Sequence, residues 1–283
     1  MSRRVLVTGG SGFLGRHVVA RLSMEGFVVD APGREVLDIA ENRFPEEAAE
    51  VVVHLAARTF VPDSWTDPAG FYRVNTQGTV NVLDYCRRTG AELVNVSGYC
   101  YGRPSRLPIA ETEPLQPNNP YAFSKASAEE AGRFYSRTLG VAVTTLRPFN
   151  LYGPGQPANF LIPSIVAQAL DPATPAIVLQ DTTPRRDYVH VEDVAAAICL
   201  FARRRGGREV YNVGSGRSYS VAEVAGLVLD AAGIDKSVTD LGKVRPNEIP
   251  DTVADISAIR DDVGWTPKVE FADGLARLVA SLR

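Results

Sequence analysis

The sequence predicts an α/β fold in which helices cover both faces of a doubly wound parallel sheet. Short apolar runs rich in Val and Leu alternate with longer stretches of helical periodicity over the first two-thirds of the 283 residues. The runs are apolar throughout, so both faces of each strand are expected to be buried, which is typical of parallel sheets. Right-handed connections between such strands produce a doubly wound sheet. The predicted strands are 4–8, 27–31, 51–56, 93–97 and 142–146.

Helices are predicted between these strands and beyond them, at 17–25, 74–89, 121–139 and 191–204. The character of the chain changes after Asn150, where prolines interrupt the pattern, and the segment 209–213 again has the composition of a strand. From about 215 we expect a short helix, a Pro-rich connection and a final helix. The predicted domains are therefore 1–150, to which the chain returns at about 187–214, and a smaller α/β domain of 151–186 and 215–283.

Composition excludes several classes of function. The net charge of -3 and the pI of about 5.7 do not predict the basic face of a nucleic-acid-binding protein. No run of 18 apolar residues predicts a membrane span, and the N-terminus lacks the pattern of a signal peptide. The cysteines (Cys86, Cys100 and Cys199) are far apart and odd in number, which predicts neither a metal site nor a disulfide. We therefore expect a cytoplasmic protein.

A glycine-rich turn follows the first predicted strand, with Gly9, Gly12 and Gly15 in the segment TGGSGFLG. A tight turn, a close approach of the backbone to a pyrophosphate and close packing of the next helix each exclude a Cβ atom. The free N–H groups at the start of that helix then point at the phosphates. Because the motif follows a strand and precedes a helix, it predicts a dinucleotide site.

The end of the second strand predicts which dinucleotide is bound. NAD enzymes place a carboxylate there for the ribose hydroxyls, whereas NADP enzymes place a cation there for the 2′-phosphate. Counting from Gly26, the ribose-facing position falls at Gly33 or Arg34, which favours NADP because a guanidinium suits a phosphate. If the register of this count were shifted by one residue, Asp30 could face the ribose, so NAD stays possible. Asp38 and Ile39 follow at a spacing suited to an adenine contact.

A pair of residues that can transfer a proton lies in the predicted helix 121–139. Tyr121 and Lys125 are four residues apart and share one face. A phenol titrates near pH 10, and an adjacent ammonium is expected to lower that pKa. Ser97 ends a predicted strand, at the edge where parallel sheets place their sites, and its hydroxyl could bond the same substrate oxygen. The three residues together predict proton transfer coupled to hydride transfer.

With these motifs the sequence resembles the extended short-chain dehydrogenase/reductase family, specifically its nucleotide-sugar epimerases, dehydratases and reductases. The resemblance covers nearly the whole chain. Its further motifs are VVHLAA (52–57), NTQGT (75–79), YAFSK (121–125), LRPFNLYGP (146–154), RDYVHVEDV (186–194), YNVGSG (211–216) and DVGWTPK (262–268). The resemblance implies a Rossmann domain followed by a substrate-binding domain, and a homodimer formed through helices near 74–88 and 121–139.

The resemblance also implies roles for individual residues. Ser97 assists, Tyr121 is the acid/base, and Lys125 orients the ribose and tunes Tyr121. Asn150, Arg186 and Arg245 match the residues that hold the diphosphate of a nucleoside-diphosphate sugar, and Tyr99 and Asn159 are further substrate candidates. The predicted cofactor contacts are Gly9, Ser11, Gly12, Phe13, Leu14, Gly15, Arg34, Asp38, Ile39, Leu55, Ala56, Ala57, Asn75, Tyr121, Lys125 and Pro148.

The residues after Ser97 separate the subfamilies. Sugar 4,6-dehydratases carry an Asp-Glu pair there, but this chain has Gly98 and Tyr99, so dehydration is set aside. Relatives that epimerise at C3 and C5 have a Cys at the position of Tyr99, and Cys100 is one residue too late. Two reactions stay open: NADPH-dependent reduction of a 4-keto-6-deoxy sugar nucleotide, and NAD-dependent 4-epimerisation.

Arg34 favours the reductase. The segment 245–248 (RPNE) also resembles the enzymes of GDP-deoxyhexose synthesis. A non-catalytic cofactor-binding regulator is an alternative of another class, but degenerate members tend to lose the set Ser97, Tyr121 and Lys125, which is intact here.

Overall fold

The structure, a computed structural model, describes residues 3–204 and 208–283. Its strands are β1 (Arg4–Thr8), β2 (Val28–Asp30), β3 (Val51–His54), β4 (Glu92–Val96), β5 (Val143–Pro148), β6 (Asn150–Tyr152), β7 (Ala176–Leu179), β8 (Arg185–His190), β9 (Val210–Val213), β10 (Ser218–Ser220) and β11 (Ser237–Asp240). Its helices are α1 (Phe13–Met24), α2 (Val61–Thr66), α3 (Pro68–Phe71), α4 (Gly78–Thr89), α5 (Pro120–Leu139), α6 (Leu161–Leu170), α7 (Val191–Arg203), α8 (Val221–Ala232), α9 (Ser257–Val263) and α10 (Phe271–Leu282).

The central sheet has six parallel strands in the order β2-β1-β3-β4-β5-β9. This confirms the predicted doubly wound α/β fold. The direction of winding reverses between β1 and β3, and a crevice opens there at the carboxyl ends of the strands. The turn after β1 and the residues after β3, β4 and β5 therefore lie along one edge of the sheet. Two smaller sheets, β10-β8-β6 and β11-β7, lie outside it.

Several element boundaries differ from those predicted. Helix α1 begins at Phe13 and not at residue 17, because the glycine-rich turn leads directly into the first helical turn with Gly12 as its N-cap. The helix predicted at 74–89 starts as a π-helical segment, Tyr72–Gln77, that continues into α4. Beyond residue 215 the chain forms β10, β11 and three helices, more structure than the two helices predicted. The strand pairings with β7 and β8 join distant segments, which local patterns do not report.

Two main hydrophobic clusters hold these elements. The first joins the sheet to α1 and α7 and includes Val53, Leu146 and Ile198, and it also takes in Ile259 of α9 and Trp265. The second joins α6, α8 and α10 beside the small sheets. The C-terminal segment thus contributes to both clusters, and the predicted division into two domains stays a prediction. Among the described residues, every helix is too short or too polar to cross a membrane.

Candidate active site

A cleft of about 980 Å³ opens at the carboxyl edge of the central sheet. It brings together the turn after β1, the ends of β3, β4 and β5, the start of α5 and the segment before Thr252. Fifteen predicted site residues line it: Gly9, Gly12, Phe13, Leu14, Gly15, Leu55, Ala57, Ser97, Tyr99, Tyr121, Lys125, Pro148, Asn150, Arg186 and Arg245. Seven do not: Ser11, Arg34, Asp38, Ile39, Ala56, Asn75 and Asn159.

The glycine-rich turn forms a cradle that side chains would fill. Gly9 has a left-handed φ of 72°, and a Cβ atom there would lie 2.7 Å from the Ala56 nitrogen. A Cβ atom at Gly15 would lie 2.1 Å from the Gly9 carbonyl oxygen. The turn is closed by the Gly12 N–H, which donates to the Gly9 carbonyl over 3.0 Å, and no side chain caps α1. These features fit the pyrophosphate of a dinucleotide held at a helix N-terminus.

A chain of buried hydrogen bonds supports this turn from below. His54 Nδ1 is 2.7 Å from Thr8 Oγ1, and His54 Nε2 is 3.0 Å from Thr79 Oγ1. Because the Thr79 hydroxyl donates to the Asn75 carbonyl oxygen, Nε2 must carry the proton and Nδ1 must accept. Burial, with the charge of Lys125 adding to it, lowers the pKa of His54 to about 3, so its imidazole stays neutral. His54 thus positions the ends of β1 and β3.

The side-chain amide of Asn75 is hydrogen-bonded to groups around the site and does not face the cleft. Its Oδ1 accepts from the Arg58 N–H at 2.8 Å, and its Nδ2 donates to the Arg58 carbonyl and to Ser124 Oγ, both at 3.0 Å. The Ser124 hydroxyl in turn donates to the Tyr121 carbonyl oxygen at 2.7 Å. Asn75 therefore links the loop after β3 to the first turn of α5.

The predicted catalytic residues converge at the end of β4. Ser97 is buried, and its Oγ lacks a hydrogen-bond partner of ordinary geometry among the described residues, although it lies near the Cys100 thiol. The Tyr121 hydroxyl lies directly over Gly98, where a Cβ atom would be 2.7 Å from Oη. The absence of a side chain at Gly98 thus leaves space for the Tyr121 phenol at the end of β4.

Lys125 lies one helical turn after Tyr121 and is buried. Its Nζ donates to the Val96 carbonyl oxygen at 2.7 Å, and burial lowers the pKa of its ammonium to about 8. The expectation that this ammonium lowers the pKa of Tyr121 is wrong for the free protein. Burial raises the pKa of Tyr121 above its usual value, and the nearby Cys100 thiol adds to the effect. The phenol is therefore protonated in the free protein at neutral pH.

Two carboxylates near the end of β2, those of Asp30 and Asp38, lie outside the cleft and are paired with arginines. Asp30 pairs with Arg4, with Nη1 and Oδ2 2.8 Å apart. Arg34 lies four residues beyond the strand with its side chain 79% exposed, and its Nε is 3.0 Å from Asp38 Oδ2. The Asp38 carboxylate also accepts from the Ala40 N–H, and Ile39 is buried in a third hydrophobic cluster. Of the charged side chains here, Arg34 is the one most free to move toward a ligand.

Four of the five predicted substrate contacts line the cleft. Asn150 donates from Nδ2 to the Asp187 carbonyl at 3.2 Å, and the Tyr99 hydroxyl donates to the Gly102 carbonyl at 2.7 Å. Arg186, at the start of β8, is partly buried and paired with Glu248, whereas Arg245 is exposed at the rim. Asn159 is exposed outside the cleft.

Sequence reasoning missed several residues that line the cleft. Among them are Thr59, Trp65, Asn118, Asn119, Gln156, Phe160, Glu248, Ile249 and Thr252. Asn119 had a readable signal, because Asn followed by Pro marks a helix start, and its side chain does accept from the Ala122 N–H at 2.8 Å. The others reach the cleft through tertiary contacts. The described residues contain no cluster of three or more His, Cys, Asp or Glu side chains suited to a metal ion.

The chain is similar to known proteins of one family. Residues 5–214 match the NAD dependent epimerase/dehydratase family. GDP-6-deoxy-D-mannose reductase of Pseudomonas aeruginosa is 32% identical over 296 residues, which cover 99% of this chain and 97% of the relative. The structure of RMD from P. aeruginosa complexed with NADPH is 30% identical, with a TM-score of 0.89 over 99% of this chain and 98% of that one. UDP-glucose 4-epimerase of Thermus thermophilus, in complex with NAD, is 32% identical, with a TM-score of 0.89 over 99% of both chains.

Proposed function

The chain belongs to the NAD dependent epimerase/dehydratase family, and we propose that it uses NADPH to reduce the 4-keto group of a nucleoside-diphosphate 4-keto-6-deoxy sugar. Membership makes it an enzyme of the NAD(P)-dependent nucleotide-sugar class, so the alternative of a non-catalytic regulator falls away. The relatives include a reductase and an epimerase at equal identity, and structural neighbours bind NADPH or NAD. The choice between the two reactions therefore depends on this chain's own residues.

The observation that carries the proposal is the pairing of Asp30 with Arg4. A carboxylate at the end of β2 would favour NAD, because it accepts from the ribose hydroxyls and repels a 2′-phosphate. Asp30 is paired with Arg4 instead, and the carboxylate beside Gly33 belongs to the exposed Glu35. Arg34 is exposed, and an ion pair of this kind, here with Asp38, is typically worth only about 0.2–1 kcal/mol. A 2′-phosphate could therefore draw Arg34 away at little cost.

The proposed chemistry uses three side chains at the end of β4. Bound nicotinamide would supply the hydride to the sugar carbonyl carbon. The Tyr121 hydroxyl would give its proton to the carbonyl oxygen as negative charge develops there, and the Ser97 hydroxyl, unpaired with any described group in ordinary geometry, would donate a hydrogen bond to the same oxygen. The Lys125 ammonium would hold the ribose and contribute positive charge near the phenol. The raised pKa of Tyr121 keeps the phenol protonated before reaction, and an alkoxide is a far stronger base than a phenolate, so the proton transfer is downhill.

A substrate panel tests the proposal. The purified protein should oxidise NADPH in the presence of a 4-keto-6-deoxy sugar carried by one of GDP, UDP, dTDP or CDP. It should leave 4-hydroxyl epimers of the ordinary nucleotide sugars unchanged with NAD+. Interconversion of such epimers without net use of NADPH would show that the protein is a 4-epimerase and would contradict the proposed reduction.

Replacement of Arg34 with Ala should weaken NADPH binding by about 10- to 100-fold, since a charge-assisted bond to phosphate is worth about 1.5–3 kcal/mol. NADH binding should not change, because it has no 2′-phosphate. Dissociation constants from fluorescence titration would give both values. Arg43→Ala is the matched control: it removes the same charge from the same loop, where Arg43 donates to the Glu35 carbonyl. Equal losses for NADPH and NADH at Arg34 would refute its assignment.

Cofactor affinity should also depend on pH through Lys125. Its pKa in the free protein is about 8, lowered from 10.5 by burial, so the ammonium is lost as the pH rises above about 8. If the ammonium binds the ribose, the dissociation constant should be constant below pH 7 and rise above pH 8 by up to about tenfold per unit. The Lys125→Met variant should bind the cofactor weakly, and its dissociation constant should not change between about pH 7 and pH 9.5. A wild-type profile as flat as that of Lys125→Met would contradict the proposed role.

Homodimerisation stays a proposal. Large apolar side chains are exposed on α5 and on the π-helical segment, the two regions expected to form the interface. They are Tyr72, Phe123, Phe134 and Leu139.

A further inference from the structure

An internal carboxylate already neutralises the arginine that is proposed to bind the substrate diphosphate. Arg186 Nη2 forms a short ion pair with Glu248 Oε1, and Arg186 Nη1 donates to the carbonyls of Arg185 and Ile249 at 2.7 and 2.6 Å. The side chains of Arg186 and Glu248 are 20% and 18% exposed, so water screens the pair only partly. Both residues line the cleft. A diphosphate that approached Arg186 would meet a carboxylate on the same guanidinium.

The carboxylate belongs to a short segment, Arg245–Glu248, and the Oε1 atom that pairs with Arg186 also accepts from the Ile249 N–H at 3.1 Å. The Glu248 N–H donates to the Arg245 carbonyl at 3.2 Å, which closes a turn, and Asn247 has a left-handed φ of 60°. Asn118 Nδ2 donates to the Asn247 carbonyl at 3.2 Å. Asn118 precedes Asn119, the N-cap of α5, so the segment touches both the substrate arginine and the helix that carries Tyr121. The Arg245 side chain lies exposed at the rim of the cleft.

We propose that Glu248 is an internal counter-ion that the substrate diphosphate displaces from Arg186, and that it sets the affinity and selectivity of the anion site. The inference rests on the proposed binding of a diphosphate by Arg186. A guanidinium in a cleft without a counter-ion would bind any small anion. With Glu248 in place, an anion must supply more favourable charge and hydrogen bonds than one carboxylate oxygen. A diphosphate with several oxygens satisfies this condition better than a monoanion does. Release of Glu248 also frees the segment that carries Arg245, the second proposed diphosphate ligand.

Inorganic pyrophosphate and chloride are suitable probes, with Trp65, which lines the cleft, as a fluorescent reporter. In Glu248→Gln, which keeps the shape and removes the charge, pyrophosphate should bind severalfold more tightly than in wild type, up to about fivefold. Chloride should also compete more effectively with pyrophosphate in this variant. Glu46→Gln is the matched control: it removes the same charge from an exposed position outside the cleft, and the affinity should not change. Thermal unfolding checks that each variant is folded, and Glu248→Ala provides a second removal of the carboxylate.

The outcomes separate the inference from the function on which it rests. Unchanged or weaker pyrophosphate binding in both Glu248 variants, together with loss of binding in Arg186→Met, would overturn the counter-ion role and leave the diphosphate site standing. In that case Glu248 would serve to hold Arg186 in place. Binding that is equally strong in wild type and Arg186→Met, or undetectable in wild type and both Glu248 variants, would overturn the diphosphate site and the inference together.

Discussion

Replacement of Tyr121 with Phe is expected to lower kcat by about 10²- to 10⁴-fold, the usual contribution of a positioned general acid. The substitution removes one oxygen atom, the only group of this side chain that can hold a proton. The ring would still pack edge-to-face against Phe71, whose ring centroid is 6.4 Å away, so the fold should be retained. The dissociation constant of NADPH should stay within about twofold, because Tyr121 is one of sixteen predicted cofactor contacts and its ring is retained. Steady-state rates and fluorescence titration would measure the two quantities.

Tyr99→Phe is the matched control for this experiment. It removes a hydroxyl from the same cleft, but that hydroxyl already donates to the Gly102 carbonyl. The loss in kcat should therefore be much smaller than at Tyr121. If the two substitutions lowered kcat equally, Tyr121 would not be the proton donor. If Tyr121→Phe lost cofactor binding in proportion to kcat, its role would be in binding.

Replacement of Glu129 with Gln is expected to cost about 3–5 kcal/mol in the free energy of unfolding, because it leaves a buried guanidinium without its counter-charge. Arg147 and Glu129 are 2% and 1% exposed, and Arg147 Nη2 is 2.5 Å from Glu129 Oε2. Burial alone would lower the pKa of Arg147, but Glu129 raises it above its usual value, so the charge persists. Tyr101 accepts from Arg147 Nη1 at 2.8 Å and extends the network to Asn212 on β9.

This pair ties α5 to β5 beneath the site, since Glu129 lies one turn after Lys125 and Arg147 precedes Pro148. Urea unfolding followed by circular dichroism would measure the loss. The control is Arg137→Met. Arg137 lies on the same helix as Glu129 and forms an exposed bidentate pair with Glu209, so its loss should have little effect on the free energy of unfolding. A double replacement, Glu129→Leu with Arg147→Met, should recover part of the stability, because no charge is then left buried. A loss at Glu129→Gln no larger than that of the control would contradict the account.

The parts of the site that could be predicted from sequence are those set by local constraints. Gly15 is required by backbone contacts within the turn, which leave no space for a Cβ atom, and Gly9 is required by its left-handed φ of 72°. Tyr121 and Lys125 are four residues apart on one helix, so their shared face follows from helical geometry. Ser97 follows from the rule that parallel strands place functional groups at their carboxyl ends.

The parts that could not be predicted depend on contacts between distant segments. Glu248 lies 62 residues from Arg186, and no local pattern pairs them. The sequence predicts a lowered pKa for Tyr121, because the proximity of Lys125 along the helix is the only information it offers, whereas the pKa is raised in the structure. In the structure the Lys125 ammonium donates to the Val96 carbonyl, and burial dominates the titration of the phenol. Burial and side-chain direction are properties of the packed molecule.

The central claim is that this site transfers a hydride from NADPH to C4 of a sugar while Tyr121 protonates the oxygen. It is tested most directly with NADPH that carries deuterium at its transferable position and a 4-keto-6-deoxy sugar nucleotide as substrate. The account predicts one deuterium atom at C4 of the product sugar for each NADPH oxidised, and at most about a hundredth as much labelled product with Tyr121→Phe over the same time. Interconversion of 4-hydroxyl epimers with bound NAD+, with no label gained and no NADPH consumed, would contradict it.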